Sequence, residues 1–280
     1  MRFLFEPAEA SGLEELREGC RTASESGLDG LYLAPTPQLP AALIAAAAIG
    51  GVEPDGLIAA EVRLGDRNPI ELAEEAAVVD LGLKGRLILV VRPAPDQPDR
   101  FPEGLDLLRT ALAARPFRRQ GAHWQVPANL PENVNGPEHL IRVTPAPFQP
   151  RLEIWGVGPA AGCARERGLG HVGDVDDPVE TIEEGWASVA RNPAAIGTPR
   201  ARRHLFRDPA DLVEELRAGR ERFDQDWAIV RGATADATLI GRQVRPQVQI
   251  DRLPTGLTDF WNRRRGSGDV SMPTLKPIME

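Results

Sequence analysis

Short apolar runs alternate with longer amphipathic segments along most of the chain. Eight of these runs, each of four to seven residues, have the apolar and β-branched composition typical of strands. Several are apolar at nearly every position, as expected of strands buried on both faces. The sixth and seventh runs are short and contain His171 and His204. The predicted strands are residues 2–5, 30–34, 57–62, 86–92, 152–157, 170–173, 203–206 and 227–231.

Several helix starts are marked by a capping residue that precedes a proline. Asn68, Asp177 and Asp208 each occupy this position, with an acidic residue three places later. Ser11 with Glu14 predicts another capped start, and Gly219 predicts a helix end. After Asn68, apolar residues follow at helical spacing and predict one buried face: Leu72, Ala76, Val79 and Leu83.

The alternation of strand and helix predicts the fold class. Strands separated by helices run parallel and are joined by right-handed crossovers. Eight such units within 280 residues favour closure into a (β/α)8 TIM barrel over an open sheet. We predict a single barrel domain over residues 1–265 and a flexible tail over 266–280. Residues 93–102 and 116–150 are punctuated by proline and glycine and are interpreted as loops.

Composition restricts the classes of partner. The net charge is −8, whereas a nucleic-acid surface needs a basic stripe, so no nucleic-acid partner is expected. The arginines at 263–265 are interpreted as a solvated helix end. The most apolar stretch, residues 39–52, is too short to span a bilayer. Cys20 and Cys163 lack ligand spacing, so we expect no disulfide, no metal site and a reducing cytoplasm.

One segment resembles a known family. Residues 68–91 carry a capped helix followed by a Gly-Arg pair and a very apolar strand, with Pro69, Ala73, Glu74, Glu75, Asp80, Gly85 and Arg86 at the matching places. This pattern is similar to that of bacterial-luciferase-like monooxygenases. Weaker matches are Gly27-Leu28-Asp29, residues 121–124 and residues 142–158. In order, the matches cover about residues 1–240.

The resemblance implies a luciferase-like TIM barrel with shortened insertion loops. It also implies a flavoprotein oxidoreductase or monooxygenase that binds FMN or coenzyme F420 at the carboxyl mouth of the strands and oxidises or reduces a small organic substrate. By analogy with the family we expect a homodimer, or a heterodimer with a homologue. An alternative function is a non-catalytic barrel that serves as a binding protein or as the partner of a catalytic homologue. Two features motivate this alternative: Ala34–Pro37, which stand where many family members carry titratable residues, and the shortened loop after Arg92.

The barrel rule places candidate site residues at the carboxyl ends of strands. The turn formed by Gly156, Gly158, Pro159, Ala160 and Ala161 predicts a cofactor phosphate site, because two glycines precede a helix start. An ordinary strand–helix turn is also compatible, and so is a Rossmann-type G-x-G-x-x-A fingerprint. The strand-end positions nominated by the rule are Glu6, Thr36, Glu61, Arg63, Arg92, Gly156, Gly158, Asp174 and Arg231.

Four of the nominated side chains and one histidine carry specific expectations. Thr36, Glu61 and Arg92 are candidate cofactor contacts. Arg92 follows a very apolar strand, so its charge needs water, an anionic ligand or an ion pair with Glu61 or Asp96. Glu61 and Arg63 share a strand face, as polar site residues or as a core ion pair. His171 is the candidate acid–base catalyst, with a structural imidazole as the alternative.

Overall fold

The computed structural model describes residues 1–8, 12–36, 41–50, 56–65, 67–127, 140–174, 177 and 197–248. Residues Met1–Gln249 form one compact unit. The predicted domain boundary at residue 265, the arginines at 263–265 and the tail at 266–280 lie outside the described residues. Within the described part of the chain, no helix is both long enough and apolar enough to cross a membrane.

Eight parallel strands close into a barrel, which confirms the predicted fold class. Around the barrel the order is β1, β10, β9, β8, β7, β4, β3 and β2, so the first and last strands in the chain pair and complete the ring. These strands are β1 (Arg2–Pro7), β2 (Gly30–Leu33), β3 (Leu57–Leu64), β4 (Leu87–Pro93), β7 (Glu153–Val157), β8 (Gly170–Gly173), β9 (Arg200–Leu205) and β10 (Trp227–Gly232).

Helices pack on the outside of the barrel between successive strands. They are α1 (Leu13–Glu25), α2 (Ala42–Gly50), α3 (Pro69–Gly82), α4 (Phe101–Leu112), α5 (Ala160–Glu166) and α6 (Pro209–Phe223). The chain then continues through Asp236–Leu239, a π-helical turn at Ile240–Val244 and Arg245–Val248. A two-stranded antiparallel hairpin, β5 (Arg119–Gln120) with β6 (Gln125–Val126), interrupts the predicted loop at 116–150.

Two of the predicted helix caps are confirmed. The side chains of Asn68 and Asp208 accept hydrogen bonds from the backbone N–H groups of Ile70 and Ala210 at 3.0 and 2.7 Å. These bonds satisfy donors that the first turn of a helix leaves unpaired. The predicted face of α3 is buried along its whole length, as its apolar spacing requires.

Other boundaries differ from the sequence predictions. Helix α6 passes through Gly219 and ends at Asp224, which adopts the left-handed conformation itself, so the predicted stop at Gly219 is wrong. The N-cap of α1 is Gly12, one residue after Ser11. Ser11 and the helix predicted after Asp177 lie outside the described residues. The Rossmann interpretation of Gly156–Ala161 is wrong, because the turn follows a strand in the middle of a closed barrel.

The residues that carry the family resemblance include two structural clamps. Asp80 is fully buried, and its carboxylate accepts hydrogen bonds from the backbone and side-chain nitrogens of Gln149, both at 2.8 Å. Arg86 donates to the carbonyl oxygens of Leu83, Gly56 and Gly50. These contacts tie α3 to the irregular segment before β7 and to the chain before β3. The segment at 68–91 therefore organises the barrel wall.

Alternate residues of each strand face the helices or the barrel interior. Phe3, Phe5 and Leu89 belong to the outer layer, which packs on the helices. The interior holds large side chains such as Trp155 and Trp227, whose rings meet edge to face with centroids 5.0 Å apart. β8 can lie beside Trp155 because Gly170 has no side chain; a Cβ there would come within 2.2 Å of the indole.

Candidate functional site

Charged side chains gather at the carboxyl ends of the strands. Six residues form a continuous set of contacts that we call the mouth network: Glu6 on β1, Tyr32 on β2, Glu61 on β3, Arg92 on β4, Asp174 after β8 and Arg203 on β9. Parallel strands bring their carboxyl ends to one edge of the barrel, so residues far apart in sequence meet there.

Arg203 occupies one side of the mouth network. Its guanidinium forms a two-pronged ion pair with Glu6, with Nη2 to Oε1 at 2.6 Å and Nε to Oε2 at 3.0 Å. Nη1 donates to Oδ1 of Asp174 at 2.7 Å. The guanidinium carbon also lies 5.4 Å from the centre of the Tyr32 ring. Arg203 thus makes contacts through one face of its guanidinium and through its nitrogen edges, which fix its orientation.

Arg92 occupies the opposite side. Its Nε donates to Oε1 of Glu61 at 2.7 Å, and Nη2 donates to Oδ2 of Asp174 at 2.8 Å. Of the two partners considered from the sequence, Glu61 is therefore the one observed. The Tyr32 hydroxyl donates to the other oxygen of Glu61. Because Arg203 packs on Tyr32, the contacts return to their starting point and close a ring.

Burial and pairing shift the protonation equilibria of this ring. Burial raises the pKa of Glu6, although the charge of Arg203 opposes this effect. Burial acts to lower the pKa of Arg92, but hydrogen bonds and charges from Glu61 and Asp174 outweigh it and the pKa rises. Burial and the charge of Glu61 hold the pKa of Tyr32 well above its ordinary value. Tyr32 therefore keeps its proton and stays a hydrogen-bond donor.

A cavity of about 360 Å³ opens above the mouth network. The apolar part of its lining, called the apolar wall, includes Leu33, Ala34, Pro35 and Ala45, and Thr36 adds a hydroxyl. The polar part, called the polar wall, is formed by Glu6, Tyr32, Glu61, Arg63, Arg92, Arg203 and Arg231. A second cavity of about 650 Å³, between this wall and α3, shares Thr36, Glu61 and Arg63 with it. The volumes of both cavities are within the range of small-molecule sites, roughly 300–1,000 Å³.

Two arginines of the polar wall form fewer or longer contacts with carboxylates than Arg92 and Arg203 do. Arg63 is exposed and forms no ion pair with the residues that the structure describes. Arg231 is 46% exposed at its side chain, and its Nε lies 3.8 Å from Oε1 of Glu6, beyond hydrogen-bonding distance. Both guanidinium groups line the cavity and can contact a molecule within it.

The predicted phosphate turn lies beside the mouth network, outside the lining of the cavity. Gly158 has a φ of +58°, and a Cβ at this position would lie 3.1 Å from the guanidinium of Arg92. Gly156 faces α5, because a Cβ there would come within 2.6 Å of Ala164. Pro159 is exposed, whereas Ala160 and Ala161 are buried. The structure thus brings the turn to the mouth through Gly158 and Arg92.

The structure does not bring His171 together with the mouth residues. His171 pairs with Gly156 across β7 and β8, so both residues point toward the helices. Burial, with the charges of Arg165 and Arg200, lowers the pKa of His171 to about 3. Its imidazole is therefore neutral at ordinary pH and lies on the opposite face of the strand from the cavity.

Sequence reasoning missed two members of the mouth network. Tyr32 and Arg203 were assigned to strands but were not nominated as site residues. Both lie on inward-facing positions near the carboxyl ends of their strands, and the alternation of faces along each strand was the signal that identifies them. Their partners Glu6, Glu61, Arg92 and Asp174 were all nominated from strand ends.

The barrel is similar to solved structures of oxidoreductases. The oxygenating constituent of 3,6-diketocamphane monooxygenase from Pseudomonas putida, in complex with FMN, aligns with a TM-score of 0.68 and 16% identity over 90% of this chain and 100% of its own. EDTA monooxygenase from Chelativorans sp. BNC1 gives 0.68 and 12%, over 89% and 93%. This chain has the fold of these enzymes. The fold is the one that the sequence resemblance implies.

A third similar structure comes from a different class of enzyme. The coenzyme F420-dependent tetrahydromethanopterin reductase from Methanopyrus kandleri aligns with a TM-score of 0.64 and 11% identity, over 89% of this chain and 99% of its own. No family model and no curated protein matches the sequence. At these identities the comparisons concern the fold, and the chemistry must be argued from the site.

Proposed function

We propose that this chain is an oxidoreductase that binds a reduced flavin, FMN or F420, in the mouth cavity and acts there on a small organic substrate. The observation that carries the proposal is the position of the cavity. It lies at the carboxyl end of the barrel, is lined by both apolar and polar side chains, and occurs in a fold shared with an FMN complex and an F420-dependent reductase.

The residues present fit such a cofactor. A flat ring system needs an apolar wall, which Leu33, Ala34 and Pro35 offer, and donors at its edge, which Thr36 and Arg92 offer. Gly158 lets its turn approach the Arg92 guanidinium, because it has no side chain, and Arg92 would be the positive charge offered to an anionic tail. The cofactor, when bound, supplies the redox chemistry, either toward oxygen or directly toward the substrate.

The chain's own residues hold and shield the reacting molecules. Arg92 and Arg203 are each locked by two carboxylates, so the polar wall is preorganised and needs no rearrangement on binding. Tyr32 keeps its proton on the hydroxyl oxygen and holds Glu61 in place. The apolar lining would limit the contact of bound molecules with water, which strengthens polar contacts within the cavity.

Titration of purified full-length protein with FMN and with F420, followed by cofactor fluorescence, tests the proposal. Saturable binding of one cofactor, oxidised or reduced, is expected. Ala34→Phe places a ring against the apolar wall and should weaken that binding at least tenfold. Ala210→Phe is the matched control, because Ala210 is exposed at the start of α6. Failure of both cofactors to bind in either redox state would overturn the proposal.

A second candidate function is a non-catalytic partner of a homologous barrel. The observation that favours it is the internal pairing of charge in the mouth network, where Arg92 and Arg203 are each bound by two carboxylates of the chain itself. Such a cluster can stabilise a barrel end without binding anything. Co-expression with a homologous chain would then give a stable heteromer, and neither FMN nor F420 would bind to this chain alone.

A further inference from the structure

The mouth cavity is positively charged although the whole chain is acidic. Four arginines line the cavity against two glutamates, in a protein whose net charge is −8. Asp174 and the two glutamates already engage Arg92 and Arg203. Three carboxylates thus face four arginines, which leaves one net positive charge, and the two arginines that form no hydrogen bond to a carboxylate among the described residues are Arg63 and Arg231.

The strand register determines which charged residues lie opposite these two arginines. Arg63 pairs directly with Arg92 on the neighbouring strand, so two guanidinium groups emerge side by side on one face. Like charges directly opposite each other destabilise a sheet, and of this pair only Arg92 is neutralised by carboxylates among the described residues, namely Glu61 and Asp174. Arg231 pairs with Glu6, whose carboxylate is already held by Arg203 with shorter contacts. An anion in the cavity would therefore meet both guanidinium groups on its lining.

We propose that Arg63 and Arg231 recognise an oxyanion of the substrate, so that the substrate class is small organic acids bearing a carboxylate, sulfonate or phosphate group. This inference rests on the proposed function, since it names the molecule acted on at the same site. The guanidinium fork suits such groups, because it donates two parallel hydrogen bonds to two oxygens. Both arginines line the cavity of about 360 Å³, together with the apolar side chains of Leu33 and Pro35.

Binding to the cofactor-free full-length protein tests the inference by calorimetry. The probes are benzoate and benzenesulfonate, with benzyl alcohol as the uncharged counterpart. We expect the two anions to bind and to lose affinity as salt is raised, and the alcohol to bind at least tenfold more weakly. Arg63→Gln and Arg231→Gln should each weaken anion binding about ten- to a hundred-fold, as expected for loss of a charged hydrogen bond.

A charge-matched control separates local contact from the general field of the protein. Arg115→Gln removes the same charge from an exposed position that does not line either cavity. It should leave anion affinity unchanged within about twofold. Equal weakening by all three substitutions, or equal binding of the alcohol and the anions, would overturn the inference.

Parallel titrations with FMN and riboflavin identify the source of the anion. If Arg63→Gln and Arg231→Gln weaken FMN but leave riboflavin and benzenesulfonate unchanged, the arginines serve the cofactor phosphate and the substrate assignment is wrong. If anions bind through both arginines but no flavin or F420 binds, the anion site stands and the proposed redox function fails. If a cofactor binds but no anion does, the redox function stands alone.

Discussion

The two ends of the barrel bury carboxyl groups in different ways. At the carboxyl end, Glu6, Glu61 and Asp174 are held by arginines across the mouth network. At the amino end, carboxyl groups accept from neutral donors. Asp29 accepts from the backbone N–H of Phe3 at 2.8 Å, and Asp226 accepts from that of Arg200 at 2.7 Å. One end keeps charges in fixed positions, whereas the other uses carboxyl groups to fasten strand starts.

This difference indicates that the carboxyl groups at the amino end stabilise the fold, whereas those at the carboxyl end hold the site residues in place. Backbone amides at the amino end would be present in any sequence of this fold, so the carboxyl groups there stabilise the strand ends they join. Arginine–carboxylate pairs at the carboxyl end need specific residues on five separate segments. Stability and site preorganisation should therefore respond differently to substitutions at the two ends.

The largest expected effect comes from removing Arg203. Arg203→Met leaves Glu6 and one oxygen of Asp174 buried without their cation, and should lower the free energy of unfolding by about 3–5 kcal/mol. Urea denaturation measures the change. Arg207→Met, at an exposed position, should stay within about 0.5 kcal/mol. Equal effects of the two substitutions would show that the mouth network contributes nothing to stability.

A smaller loss is expected within the same network. Tyr32→Phe removes the hydroxyl that donates to Glu61, and should cost about 2 kcal/mol, because the acceptor is charged and buried. The same urea measurement on Glu61→Gln and on the double variant gives the coupling between the two side chains. Strict additivity of the two substitutions would contradict the direct hydrogen bond.

The free energy of unfolding should depend on pH through Asp226, at the amino end of the barrel. Burial raises the pKa of Asp226 to about 7 from 3.8. Between about pH 4 and 7 the folded state binds this proton and the unfolded state does not, so stability falls as pH rises through that window. Asp226→Asn cannot titrate, and its stability relative to the wild type should rise by about 1–2 kcal/mol from pH 4 to 8. This value is below the full shift because Asp226 is partly exposed to screening solvent.

Thermal or urea unfolding across pH 4–8 checks this expectation. Asp224→Asn provides the control, since Asp224 lies two residues away and its side chain is 89% exposed. The control should show a flat difference from the wild type across the window. A flat difference for Asp226→Asn as well would mean that Asp226 is ionised throughout.

The smallest effect on stability is expected at the cavity surface. Arg63→Gln should change the free energy of unfolding by less than about 0.5 kcal/mol, because Arg63 is exposed and has no ion pair among the described residues. Arg92→Gln, on the neighbouring strand, breaks contacts with Glu61 and Asp174 and should cost clearly more. Comparable costs at both positions would remove the distinction between a structural and a ligand-facing arginine.

The sequence predicted the barrel because most of its strands are apolar at nearly every position. The seventh strand was the exception. β9 begins at Arg200, three residues before the prediction, because its Arg-rich sequence lacks any apolar pattern and is held by ion pairs that only the fold brings together. A hydrophobic pattern in the sequence predicts strands that are buried by apolar side chains. It does not predict a strand that is buried through arginines whose ion-pair partners lie on other strands.

The candidate site was predictable in position but only partly in content. Strand ends identified Glu6, Glu61, Arg92 and Asp174, since the barrel rule depends on topology alone. To predict which face of the barrel wall His171 lies on, the register between β7 and β8 must be known. Sequence periodicity in a four-residue strand cannot provide that register. The contact between Gly158 and Arg92 depends on side-chain geometry and could not be anticipated from the chain.

Trp155 and Trp227 form a pair of chromophores inside the barrel whose spectroscopic signal can report on barrel closure. Their indoles lie edge to face inside a ring that exists only when β1 and β10 have paired, so the near-ultraviolet circular dichroism of the two chromophores should depend on closure of the last seam. Neither indole lines the mouth cavity. Ligand titrations and assembly of the ring can therefore be followed by separate signals in one sample.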